Sequence, residues 1–125
     1  MMRTPLKNVR ALGSAKEGAD HFWKQRITAV ANVFLGLFFV WLVASLAGAD
    51  YQTVRTALHH PLIAIALSAL VISGTVHMRL GMQTIIEDYV HAEGAKIVLL
   101  MLNTFFAVGI ALASLFAILK LSFGA

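Results

Sequence analysis

Cysteine is missing from all 125 residues, so disulfides, thiolate-bound zinc and cysteine-ligated iron–sulfur clusters are excluded. Any metal chemistry must rely on histidine, carboxylates or a bound cofactor. Charge is also scarce, at 13% of residues, where a soluble domain carries about 25%. Hydrophobic residues make up 59%, and the mean hydropathy is +0.80. Such a chain cannot cover its surface in water, which makes lipid its expected solvent. The formal charge of +4 is no nucleic-acid patch, because Arg3, Lys7, Arg10, Lys16, Lys24 and Arg26 all precede residue 27.

Three runs are long enough to cross a hydrocarbon core of roughly 30 Å, which takes about 20 helical residues. The first covers about 27–48 without a charge. The second covers about 61–87, opens on Pro61 at a favoured first-turn position and contains His77 and Arg79. The third covers about 97–119, again without a charge. The expected fold is an all-α membrane protein of three transmembrane helices, a single domain over 1–125 with a leader over 1–26. No repeat, low-complexity tract or second domain interrupts it.

The basic leader places the N-terminus in the cytoplasm by the positive-inside rule. The loop 49–60 then faces outward, the loop 87–96 returns to the cytoplasm, and the C-terminus lies in the periplasm. Ala47-Gly48-Ala49 has the small-x-small pattern of a signal-peptide cleavage site. However, the basic region is too long and the apolar stretch exceeds the usual roughly 7–15 residues. The first run is therefore expected to stay as a helix. Phe22 and Trp23, set among charges just before it, suit an interfacial anchor.

An ionisable residue inside a span is costly and is held there by a partner or a function. In the second run, Ser73, Gly74, His77, Gly81, Thr84 and Asp88 share one helical face, and glycine at 81 leaves space beside the imidazole. Thr75, Arg79 and Gln83 form a second polar seam on nearly the opposite side, with Val71, Met78, Met82 and Ile85 as an apolar strip between the two. A neutral imidazole at this depth is either an axial ligand of haem iron or a hydrogen-bonded contact to a neighbouring helix. His21, His59, His60 and His91 fall at or beyond the membrane edges, so a second buried ligand would have to come from another polypeptide. At the end of the run, Asp88-Tyr89 is either a quinone-facing carboxylate and phenol or an acidic helix end with a belt tyrosine. Thr28, Asn32 and Gly36 on the first span, and Asn103, Ala107, Ala111 and Ser114 on the third, are small or weakly polar stripes that let helices approach closely in lipid.

The run from His77 to Val90, His-Met-Arg-Leu-Gly-Met-Gln-Thr-Ile-Ile-Glu-Asp-Tyr-Val, resembles the H-x-x-x-G-x-x-x-(I/V)-x-x-D-Y-V motif of the smaller membrane anchor of bacterial succinate dehydrogenases (succinate:quinone oxidoreductases). The run His21-Phe22-Trp23-Lys24-Gln25-Arg26-Ile27-Thr28-Ala29 resembles that family's pre-helix segment. The three-helix plan and length agree, so the likeness covers essentially the whole chain. The resemblance implies that His77 is one axial ligand of the iron of haem b, the other coming from a second membrane anchor of the cytochrome b type. It implies that Arg26 approaches a haem propionate, and that Tyr89, with Asp88 beside it, binds ubiquinone. Arg79 is not a fixed element of the motif, and a propionate or a partner's acidic residue is its expected contact. The implied complex also contains an iron–sulfur subunit and a flavoprotein subunit, sits in the bacterial inner membrane, and passes electrons from succinate to ubiquinone. This chain would hold no catalytic centre alone.

Two other readings fit the same plan. A fumarate reductase anchor shares the architecture and runs the reaction in reverse. A three-span structural or holin-like protein would have a basic leader and short loops, but no cofactor on His77.

Overall fold

The computed structural model describes residues 15–124, with side-chain environments from Gly18 onward. The leader's first fourteen residues, with Arg3, Lys7 and Arg10, lie outside the described residues. Four helices follow in order: α1 (Ala15–Leu46), α2 (Tyr51–His59), α3 (Pro61–Tyr89) and α4 (Glu93–Phe123). Among the described residues, α1, α3 and α4 are long and apolar enough to cross a membrane. The expected three-span all-α architecture is therefore present.

The helices outrun the apolar runs at several ends. α1 begins in the leader, because nothing after Gly18 breaks a helix and the polar residues support each other locally. Lys24 pairs with Asp20 at 2.7 Å, in i,i+4 register. Arg26 lies over the Phe22 ring at 4.9 Å, and Phe22 meets Trp23 edge-on at 5.9 Å. α4 starts at Glu93, whose carboxylate suits the positive end of a helix dipole. α1 ends where Gly48 takes φ +77°, a conformation that side chains rarely tolerate.

The outer loop holds α2, a helix that the apolar pattern did not announce. Asp50 caps it by accepting from the Thr53 backbone N–H at 3.1 Å and from the Thr53 hydroxyl. Those hydrogen bonds, the hydroxyl's first, hold the Asp50 carboxyl below its ordinary pKa. His60 ends α2 and caps α3: its N–H donates to the Ala57 carbonyl, and its Nδ1 accepts from the Leu62 N–H at 3.2 Å.

α3 is the middle of a row. It packs along α1 on one side and α4 on the other, while α2 covers the Pro61 end of α3 and touches α4; α1 and α4 scarcely meet. A row has little interior. Among the described residues, only Leu42, Leu80, Ile86 and Ala107 are buried, at 5–6% exposure. Phe34, Leu37, Trp41 and Phe105 are each at least 60% exposed. In water that surface would drive aggregation. In a bilayer it faces hydrocarbon or another helix at no hydrophobic cost.

Candidate functional site

The α1–α3 seam is polar over the first half of α1. On α1, His21, Gln25, Thr28 and Asn32 recur at helical spacing and all are half-buried. They run antiparallel to the Ser73, His77, Gly81 and Thr84 face of α3. The Ser73 hydroxyl donates to the Thr28 carbonyl at 3.3 Å. Gly81 sets the spacing one turn further on, where an added Cβ would meet Gln25 Nε2 at 3.5 Å. Alanine would fit at that position, whereas a larger side chain would have to displace the glutamine.

His77 sits in the middle of this seam, half-buried, with Nδ1 3.1 Å from Thr28 Oγ1. The hydrogen-bond network assigns the tautomer. Thr28 Oγ1 donates to the Lys24 carbonyl at 2.7 Å, so its lone pairs are what it offers to the ring. In that arrangement Nδ1 carries the proton and donates. That leaves the Nε2 lone pair free, with no hydrogen bond to it among the described residues. A histidine whose outer N–H is held by a protein oxygen and whose other nitrogen is free is prepared as a metal ligand.

One turn from His77, which does not itself line it, a cleft of about 390 Å³ opens between the two helices towards the Tyr89 end of α3. Gly18, His21, Phe22, Gln25, Arg26, Gly81 and Thr84 line it. His21 Nε2 and Gln25 Oε1 are buried without a partner, as is Asn32 Oδ1 one turn deeper than Thr28. Unpaired buried polar atoms are costly, and a cleft lined by two of them is built to receive polar groups. The residues present fit a haem in part. One free imidazole nitrogen, a glycine beside it and a cationic rim at Arg26 suit iron, ring and propionates. Among the described residues, no group of three His, Asp or Glu side chains stands close enough to bind a metal ion alone.

The remaining expected site residues fall in two places. Asp88 continues the His77 face to the end of α3, and Tyr89 is the last helical residue, 78% exposed. Twelve residues separate Tyr89 from His77, about 18 Å along the axis. Arg79 lies on the other side of α3, against α4. Its Nε donates to Thr104 Oγ1 at 3.2 Å, and its carbonyl accepts from Asn103 Nδ2 at 3.0 Å. The structure thus brings Arg26 to the cleft beside His77 and leaves Arg79 out of it. Sequence patterning alone missed the roles of Thr28, His21 and Gln25. The signal was there in their i, i+4, i+7 spacing, which mirrors that of the α3 face.

These features define a class: a multi-pass membrane helix bundle with a polar seam between α1 and α3 and broad apolar faces that suit lipid or other helices. Residues 1–112 match the family model described as the succinate dehydrogenase/fumarate reductase transmembrane subunit. The chain is similar to the succinate dehydrogenase hydrophobic membrane anchor subunit of Paracoccus denitrificans, 30% identical over 122 residues, covering 98% of this chain and 94% of the relative. It is also similar to the subunit of the same name from Rickettsia bellii (strain RML369-C), 30% identical over 106 residues and 85% of each chain. The succinate dehydrogenase membrane anchor subunit of Reclinomonas americana is 34% identical over 100 residues, 76% of this chain and 82% of that one. No solved structure matches. The chain belongs to the succinate dehydrogenase/fumarate reductase transmembrane subunit family, as a hydrophobic membrane anchor subunit. It is a multi-pass membrane protein, and the Paracoccus and Rickettsia relatives are consistent with a bacterial inner membrane.

Proposed function

We propose that this chain, with a second membrane anchor, holds haem b and forms part of the site where ubiquinone is reduced by electrons from succinate. The observation that carries the reading is the Thr28–His77 hydrogen bond, which fixes the ring and leaves Nε2 free in a polar seam. His77 supplies one axial nitrogen, and the partner anchor supplies the other. Arg26, at the rim of the cleft, supplies positive charge for a propionate. His21 and Gln25 offer the polar atoms that the chain itself leaves unpaired. When bound, haem b supplies a one-electron store between the helices. Arg79 has no part in that contact, because it points to α4.

Tyr89 and Asp88 occupy the end of α3, in the cytoplasmic leaflet if the basic leader sets the orientation. There the Tyr89 phenol can donate to a quinone carbonyl oxygen, and the Asp88 carboxylate can pass on a proton from the surface. An iron–sulfur subunit and a flavoprotein subunit on the same side complete the proposed assembly. Family membership displaces the holin-like reading. It leaves open the anchor of a fumarate reductase, since the family model includes both.

The test is a spectrum of the purified complex. A reduced-minus-oxidised b-type spectrum that disappears in His77→Ala while the subunits still co-purify supports the assignment. An unchanged spectrum in that variant removes His77 as a ligand.

A further inference from the structure

The second ionisable residue of α3 poses a charge problem that the His77 seam does not solve. α3 has 29 residues and is about 43 Å long, with Thr75 at its centre. Arg79 is four residues beyond, about 6 Å from the middle, well inside a hydrocarbon core of roughly 30 Å. A guanidinium stays charged there. Its Nε has Thr104 Oγ1, but the residue remains exposed. Thr75 makes no bond to it, its hydroxyl lying against the Val71 and Ile72 carbonyls, and a neutral hydroxyl would not supply a counter-charge.

No counter-charge is available from the chain itself. All six acidic residues, Glu17, Asp20, Asp50, Glu87, Asp88 and Glu93, lie near helix ends or in the outer loop. Glu87 is eight residues away, about 12 Å along α3, and accepts from Gln83. A second copy would bring no carboxylate to this depth either. The His77 face is about 160° away around the helix, so a group bound there is out of reach.

Direction removes the lipid phosphates. Helical side chains lean towards the helix N-terminus. Accordingly Arg79 lines a groove of about 210 Å³ with the preceding turns, Ile72, Thr75 and Val76, and with Ala107, Val108 and Ala111 of α4. The guanidinium is therefore directed to the bilayer centre, away from the headgroups nearest to it. Ala107 is already buried within the chain, and one turn on Ala111, half-buried, presents almost no side chain, which admits a helix at close range.

We infer that this α3–α4 face is the docking surface for a transmembrane helix of another polypeptide, one that carries an Asp or Glu level with Arg79. The carboxylate pairs with the guanidinium, and α4 at Ala111 receives the helix backbone. The inference rests on the reading of this chain as one anchor of a complex with a second membrane subunit.

Co-expression of the tagged chain with the other subunits of its complex, and purification in mild detergent, separates the two claims. If the wild-type chain brings down no second membrane polypeptide, the reading and the inference both fall. If it does, Arg79→Glu is expected to lower recovery of that polypeptide roughly tenfold. Arg79→Lys should stay near wild type, and exchanging one intramembrane Asp or Glu of the partner for Arg should restore recovery in the Arg79→Glu background. Should Arg79→Glu fail to accumulate in the membrane, Arg79→Gln is combined with the amide variant of each partner carboxylate. A double variant no worse than either single variant supports the pair. Wild-type recovery in Arg79→Glu, absence of rescue by every partner carboxylate, or loss of bound phospholipid from Arg79→Ala with assembly unchanged would each overturn it.

Discussion

The two seams of α3 are polar in opposite ways. Along α1, the polar atoms outnumber their partners: His21 Nε2, Gln25 Oε1 and Asn32 Oδ1 are buried and unpaired, and His77 keeps one nitrogen free. Along α4, Arg79 and Asn103 each donate one hydrogen bond to the facing helix, and the guanidinium has no counter-charge. A seam with unpaired donors and acceptors is fitted to a ligand. One with an uncompensated charge is fitted to a protein. A helix carrying both can join a prosthetic group to a second subunit.

That contrast can be broken at several points. His77→Ala should abolish the b-type spectrum, while His91→Ala, in the exposed loop, should leave it intact; absorption spectroscopy of the purified complex reads both. Thr28→Val removes the oxygen that holds Nδ1, and loss of such support typically costs 10–100-fold in metal affinity. Faster haem loss is expected there, with the α4 side unaffected. Tyr89→Phe should slow quinone reduction roughly fivefold to tenfold, the worth of one hydrogen bond, with haem and assembly retained. An unchanged rate in steady-state assays would take Tyr89 out of the quinone site. Asn103→Leu tests the other seam: it should destabilise the complex by about 0.6 kcal/mol, a typical interhelical hydrogen bond in lipid, without moving the spectrum.

The smallest effect belongs to Asp50, outside both seams. Its carboxyl is held below the ordinary value by Thr53, so its stabilising contribution is present above the unfolded-state pKa of about 4 and is lost as pH falls through the lower folded value. Thermal unfolding of wild type and Asp50→Ala should differ slightly at neutral pH and converge in acid. A gap that widens in acid would contradict the cap.

Much of this was legible in the sequence. Long apolar runs fix three spans because lipid forces backbone groups to pair within one helix. One imidazole in such a run marks α3 as the bearer of chemistry, and the small-residue stripes at Thr28 and at Asn103 and Ala107 do face α3. Their exact pairing was not legible. Which α1 residue meets His77 depends on rotation and register between helices 49 residues apart in sequence, and local periodicity is silent on both. The side taken by Arg79 was undecided for the same reason. α2 was missed because its nine residues show no apolar run, and short helices depend on caps and packing.

Three rods laid side by side have two broad flanks and no inside. Since α1 and α4 both rest on α3 and scarcely on each other, the described helices cannot wrap a guest molecule by themselves, however their side chains rotate. Anything enclosed must be roofed by a neighbour. A mutation that straightens or tilts α3 would therefore disturb both flanks together, and would register at once in what the chain holds and in whom it holds on to.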